Sequence, residues 1–406
     1  MRKKVFFRSR TRNVAVKVKI VSVDVANFLY LCGKFSKLMK HASHIALLAV
    51  LFGLVLSSCH KPEPLPREQL MHRLRVLQEQ GCMFGHQDDP FYGIGWAYEP
   101  NRSDVLETCG DWPAVMGFEL GGIEMGDKKN LDSVPFDLMR REIIAHHQRS
   151  GIVTISWHPR NPLTDTEEPQ EWPAGSAWEA TDGTVAAILP GGEKHEMFLG
   201  WLEHVRVFLL SLRTDDGEPV PFIFRPWHEN NGAWFWWGAT HCTAEEYQAL
   251  YKLTQDNINN SLFPSVVWSY SPNLDGNMPE EKFLQWYPGD ERIDLIGLDA
   301  YEWGTEEDFV RQTRADLNVL CHFAVQHHKL IALTECGFAN VPDASWWDRV
   351  LLPILCDYPL SYALVWRNAE HEFFGPTPTN PESATHFRAF HAAPRTLFLK
   401  DIAPRK

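Results

Sequence analysis

The chain has 406 residues, 44% of them hydrophobic and 12% aromatic, including 16 Trp, and a formal net charge of −13. That apolar fraction supports a sizeable core and excludes global disorder. Residues 1–58 carry eleven Lys/Arg against one acid, Asp24, a net +10 that leaves −23 on the remainder; so acidic a body repels nucleic acid and excludes a DNA or RNA partner.

Inside the basic segment, Met39-Lys-His-Ala-Ser-His44 precedes an apolar run from Ile45 to Leu56. The run is too short to span a bilayer, and small residues follow it, which describes a signal peptide. Leu56-Ser-Ser-Cys59 resembles a bacterial lipobox, which implies cleavage before Cys59 and lipidation of its sulfur. Residues 1–38 precede a complete signal; an over-extended start with Met39 as initiator and a genuine basic extension both remain open. Residues 59–66, with Pro62-Glu-Pro-Leu-Pro66, read as a stiff tether, and 67–406 as one catalytic domain. No dense acidic run follows Cys59. The expected location is the periplasmic face of a Gram-negative outer membrane, with the lipid as the sole membrane contact and the protein a monomer. Of the eight cysteines, six fall in the exported body, at 82, 109, 242, 321, 336 and 356. They show no CxxC pair, so neither a disulfide mini-scaffold nor a zinc site is indicated, and most are expected to be small core residues.

A helix is predicted over about 67–80. Eight short apolar runs follow: 82–85, 114–118, 152–156, 220–224, 265–268, 295–298, 330–333 and 362–365. Runs of four or five without strict alternation suit strands buried on both faces. Helical stretches are predicted at 135–150, 195–213, 244–260, 306–328 and 345–356. This alternation predicts a (β/α)₈ TIM barrel. An open doubly wound sheet is the alternative, without a GxGxxG or P-loop to support it.

Chemistry-bearing residues follow nearly every run: His86, Glu119, Trp157-His158, Arg225-Pro-Trp-His228-Glu229, Ser269-Tyr270, Asp299-Ala-Tyr301, Thr334-Glu335 and Trp366-Arg367. In a barrel these converge on the C-terminal rim, where barrel enzymes react. Glu229 and Glu335 stand 106 residues apart, after runs four and seven. Paired carboxyls about 5–5.5 Å apart would perform a retaining glycosidic displacement. Trp227, Trp234 and Phe235 around Glu229 favour a protonated acid/base. Glu335 is the nucleophile candidate, with Arg367 as the expected donor that keeps it ionised.

Arg225-Pro-Trp-His-Glu229-Asn-Asn-Gly-Ala-Trp234-Phe-Trp-Trp-Gly238 resembles the signature of glycoside hydrolase family 26, the β-mannanases. Thr334-Glu335-Cys-Gly337, Trp366-Arg367 and Phe84-Gly-His-Gln-Asp88 match other elements of it, over roughly 81–390. The resemblance implies a barrel of the retaining 4/7 superfamily that needs no cofactor or metal, with Glu229 as acid/base and Glu335 as nucleophile. It places His158 and His228 at the −1 sugar and implies that Tyr301 hydrogen-bonds the nucleophile, near Asp299. Trp234 and Trp366 become stacking platforms, and Arg367 a contact to the −2 sugar. His86, Glu119, Trp157, Trp172 and Asp88 are weaker candidates for shaping subsites. His146-His147, His241 and His327-His328 lack a partnering spacing and are expected on the solvated surface.

The implied substrate is β-1,4-mannan, glucomannan or galactomannan. A β-glucanase or β-xylanase with the same machinery is the alternative, and a non-catalytic glycan-binding lipoprotein the other; the latter needs no paired glutamates. Endo or exo action depends on loops such as 160–195.

Overall fold

The computed structural model describes residues 64–165, 172–258 and 264–404. The predicted signal region, Cys32 and the lipidation candidate Cys59 lie outside the described residues.

Each apolar run becomes a strand: β1 (Cys82–Gln87), β2 (Val115–Glu119), β3 (Ile152–Trp157), β4 (Phe222–Pro226), β5 (Val266–Tyr270), β6 (Leu295–Glu302), β7 (Leu330–Phe338) and β8 (Tyr362–Val365). They pair in chain order, all parallel. Strand β8 then pairs with β1, from Met83 opposite Tyr362 to His86 opposite Val365. That pairing closes the sheet into a (β/α)₈ barrel and removes the edges an open sheet would keep.

The helices are α1 (Pro66–Gln80), α2 (Phe136–Gln148), α3 (His195–Leu210), α4 (Ala244–Ile258), α5 (Glu306–Gln326) and α6 (Pro381–His391). Short helices at Asp104–Cys109, Glu280–Trp286 and Leu352–Asp357 fill the remaining crossovers. The last of these follows a π-helical turn, Trp347–Leu351. Pro353 has no amide to continue an α-helical ladder there, so the predicted 345–356 helix is split. Thr305 caps α5 by accepting from the Asp308 amide, and Glu306, Glu307 and Asp308 suit its first turn. Among the described residues no helix is long and apolar enough to cross a membrane.

Side chains sort by strand parity into two apolar clusters. Met83, Val115, Ile152, Ile223, Val267, Leu295, Leu330, Ala332, Tyr362 and Leu364 share one with Leu70, Leu74 and Leu77 of α1. This is the barrel interior, and α1 stoppers its N-terminal end. The neighbouring residues on each strand, such as Phe84, Val153, Phe224 and Leu298, join the larger cluster beneath the helices. Ten of the sixteen Trp are buried, so most Trp are core residues. Of the six cysteines in the described region only Cys82 and Cys336 are buried, fewer than expected, and all six are free thiols.

One departure from parity matters. Leu298 faces Leu333, but Asp299 faces Glu335, so β7 carries an extra residue relative to β6. Strand β8 registers the same shift, with Ala363 opposite Leu333 and Val365 opposite Cys336. This is a β-bulge at Thr334-Glu335. Along β7, Leu330 and Ala332 point inward while Ile331, Leu333 and Cys336 point outward. Strict alternation would send Glu335 outward with Ile331 and Leu333. The bulge turns both Thr334 and Glu335 inward.

Candidate active site

Parity explains which titratable groups meet at the C-terminal mouth. Glu119 continues the inward series of Val115, Arg225 that of Ile223, and Asp299 and Tyr301 that of Leu295. Arg225 is 2% exposed and donates to Asp299 Oδ2 at 2.9 Å and to Glu335 Oε1. Tyr301 donates its hydroxyl to Glu335 Oε2 at 2.6 Å, and Thr334 donates to Asp299 Oδ1 at 2.6 Å. Both oxygens of Glu335 are therefore held by donors from other strands, Arg225 of β4 and Tyr301 of the adjacent β6. The donor is Arg225, not Arg367 as expected. Arg367 lies away from Glu335 and pairs with Asp132 at 3.3 Å.

Glu229 stands on the turn after β4. Trp227 and Glu229 adopt left-handed backbone angles, with φ of 58° and 53°. Such angles are unfavourable for side chains of this size, so the surroundings must impose them. The Trp227 ring is fully buried and donates to Thr254 at 3.1 Å; its carbonyl accepts from Tyr247 at 2.8 Å. Trp237 Nε1 donates to the His228 carbonyl at 2.9 Å, and the Glu229 amide to the Ser271 carbonyl at 2.7 Å. The aromatic run 234–237 is thus mainly a clamp for this turn. Trp234 is the exception: 39% exposed, it donates Nε1 to Glu229 Oε2 at 2.7 Å. Burial, reinforced by the charge of Glu335, raises the Glu229 pKa to about 7. One carboxyl oxygen from each of Glu229, Asp299 and Glu335 lies within 4.8 Å of the others.

A second chain of groups runs from β2 to the turn. Glu119 accepts from His158 Nδ1 at 2.8 Å, from the His158 amide at 2.7 Å and from Ser156 at 2.6 Å. Burial alone would raise the Glu119 pKa, but the His158 imidazolium and these donors outweigh it and hold it low. Burial likewise opposes the charge on His158, and the Glu119 carboxylate overrides it and raises the imidazole. His158 Nε2 meets His228 Nε2 at 2.9 Å. Burial, with Arg225 and His158 nearby, pushes His228 well below the usual histidine range. The series reads as carboxylate, imidazolium, neutral imidazole, with His158 donating at both ends.

Glu229, Glu335, His158, His228, Tyr301, Trp234 and Trp366 all line one cleft of about 400 Å³. Asp299 lies beneath it, fully buried against Arg225. Arg367 lines a separate cavity of about 510 Å³ with Asp132 and the short hairpin formed by Tyr92–Gly93 and Trp96–Ala97. None of the five weaker candidates lines the cleft, and Glu119 reaches it only through His158. His86 and Trp157 sit on the outward parity of β1 and β3: His86 bonds Asp89 at 2.7 Å, and Trp157 bonds Glu124 at 3.0 Å within the outer core. Trp172 is 76% exposed, and the cleft wall there is Trp178, stacked on His158 at 5.2 Å. Asp88 is buried and accepts from Tyr92 at 2.7 Å. His146 corrects another expectation: it is fully buried against Gly151, with Nε2 3.3 Å from the Ala114 carbonyl, and burial lowers its pKa to about 3. Its spacing of three residues from the buried Ile143 and seven from the buried Met139, one helix face, was the signal available in the sequence.

The family model described as glycosyl hydrolase family 26 matches residues 64–344. The chain belongs to glycosyl hydrolase family 26. A family 26 β-mannanase structure from Bacteroides ovatus superposes with a TM-score of 0.78 at 39% identity, covering 84% of this chain and 98% of that one. A mannan endo-1,4-beta-mannosidase from Bifidobacterium adolescentis is 32% identical over 280 residues, 66% of this chain and 26% of that protein. One from Thermothelomyces thermophilus is 33% identical over 283 residues, 66% of this chain and 50% of that protein. The matched region thus spans between a quarter and a half of those two relatives' length.

Proposed function

We propose that this family 26 protein hydrolyses β-1,4-mannosidic bonds in mannan, glucomannan or galactomannan with retention of configuration. The observation that carries this reading is the Glu229–Glu335 pair, with carboxyl oxygens within 4.8 Å across the barrel mouth. That spacing suits direct attack on the sugar and leaves too little room for an intervening water. Glu335 attacks the anomeric carbon as the glycosidic bond breaks, and Glu229 gives its proton to the leaving oxygen. Water then attacks the glycosyl ester, returning its proton to Glu229 and releasing Glu335. Arg225 and Tyr301 hold Glu335 in line, while His158 and His228 border the reacting sugar. Trp234 and Trp366 offer faces to neighbouring rings, and the similarity to mannan-cleaving relatives supports mannan over glucan or xylan.

Glu229→Ala tests the roles. Its turnover on mannan is expected to fall by about 10³-fold or more. On an aryl mannobioside with a good leaving group the glycosylation step should be largely restored, and azide should accelerate the second step. Equal loss on both substrates would assign Glu229 some other role. Because the protonated form donates, wild-type kcat/KM is expected to fall as pH rises through about 7, the raised value for Glu229. Retention is read from the first anomer released, by NMR; an inverted product would sink the two-step reading. Activity on cellohexaose or xylohexaose instead of mannohexaose would transfer the machinery to another glycan.

We further infer export and lipidation at Cys59, supported by the apolar Ile45 to Leu56 run and Leu56-Ser-Ser-Cys59. Cys59→Ser is expected to abolish palmitate labelling and move the protein to the soluble fraction; unchanged labelling would refute it.

A further inference from the structure

Beside the catalytic cleft lies a second cavity, of about 350 Å³, between the segments that follow β5 and β6. The two share Asn273, Tyr301 and Trp303. Trp303 stands at the divide and is 70% exposed, an unusual state for the largest apolar side chain. Its position is fixed all the same. The ring packs on Tyr301 at 5.7 Å with 30° between planes, and on Phe374 edge-on at 6.2 Å. Beyond it, Phe309 is buried, and Gln312 of α5 presents an amide that makes no hydrogen bond within the described residues.

The cavity has a defined orientation relative to the chemistry. Asn273 and Asn231 exchange hydrogen bonds, Asn231 Nδ2 to the Asn273 carbonyl at 2.8 Å and the Asn273 amide to Asn231 Oδ1 at 2.7 Å. Asn231 is two residues past Glu229, the group proposed to protonate the leaving oxygen. The cavity entrance is thus tied to the leaving-group side. The Arg367–Asp132 cavity lies across the barrel mouth, at the loops after β8, β1 and β2.

We propose that this cavity is a leaving-side subsite that takes a pyranose of the departing glycan chain, with Trp303 as its stacking wall and Gln312 as a hydroxyl partner. An exposed aromatic plane held beside the unbonded Gln312 amide, in a concave site continuous with the cleft, is the complement of a sugar ring, which has apolar C–H faces and polar edges. The proposal rests on the glycan-cleaving function above and deepens it. It predicts a chain held on both sides of the cut, because binding to the departing part positions the reacting bond.

The test compares two substrates in purified protein. Mannohexaose places sugars on both sides of the scissile bond; aryl mannobioside has only the chromophore on the leaving side. Trp303→Ala is expected to lower kcat/KM on mannohexaose about tenfold more than on aryl mannobioside, and to shift which bond of mannohexaose is cut first. Gln312→Ala, on a helix surface, should act in the same direction by about threefold. Equal losses on both substrates, with a displaced pH profile, would mean that Trp303 acts through Tyr301 on Glu335, and the subsite would be rejected. Equal retention of both activities and an unchanged cleavage pattern would also reject it. The underlying function is judged separately, by whether the wild type cleaves mannohexaose at all.

Discussion

Glu335→Ala is expected to lose at least about 10⁴-fold in kcat on both mannan and aryl mannobioside while still binding mannohexaose. A good leaving group cannot compensate, because what is missing is the atom that attacks. This separates it from Glu229→Ala, which an activated substrate partly relieves. The variant should fold. Arg225 keeps Asp299 as an ion-pair partner at 2.9 Å, so the buried cation is not stranded. Calorimetric binding of mannohexaose together with a cooperative melt would show that the loss lies in chemistry. Turnover within tenfold of wild type would end the assignment of Glu335 as nucleophile.

Arg225→Met is expected to damage stability as well as turnover. Arg225 is 2% exposed and bridges Asp299, which is fully buried, and Glu335, which is 4% exposed. Removing one side of a buried ion pair costs about 3–5 kcal/mol, because the remaining charges have lost both solvent and partner. Here two carboxyls would be left facing each other, and each would then favour its protonated form. The sign follows. Carboxyls whose folded pKa rises above the unfolded value destabilise progressively as pH rises through that folded value. The Tm deficit against wild type should therefore be larger at pH 8 than at pH 4.5, and turnover should fall by more than 100-fold. A deficit independent of pH would mean that Arg225 acts by packing alone. Arg225→Lys keeps a charge but not the two-pronged fork, and should fall between the two.

Much of this was legible before the fold was known. All eight strands coincide with the apolar runs, because strands buried on both faces must be apolar and the connecting helices need not be. Glu229 and Glu335 were visible because each stands just past such a run. What eluded the sequence was orientation. His86 and Trp157 follow their runs as closely as Glu119 does, yet an odd or even count along the strand turns them beneath the helices. The same count, taken from Ile223, would have turned Arg225, already in the rim series, inward as the donor to Glu335 in place of Arg367. Trp178 and Trp303 lie on loops without periodicity, so nothing in the chain distinguished them from the exposed Trp172. His146 sits on the inward stripe of α2, where spacing predicts burial whatever the side chain.

The bulge in β7 places two consecutive side chains, Thr334 and Glu335, on the same face of the strand. Both can point inward because one more residue is threaded between Leu333 and Cys336 than β6 and β8 provide for. A substitution at Thr334 preserves that count and forfeits at most the hydrogen bond to Asp299. Deleting Thr334 would leave Glu335 as the single residue between the outward Leu333 and Cys336, still at the inward parity, and would take away only the donor to Asp299. The extra residue thus lets one step of a strand present two polar side chains to the same interior, so that a single β7 serves both the attacking carboxylate and the buried aspartate beside it.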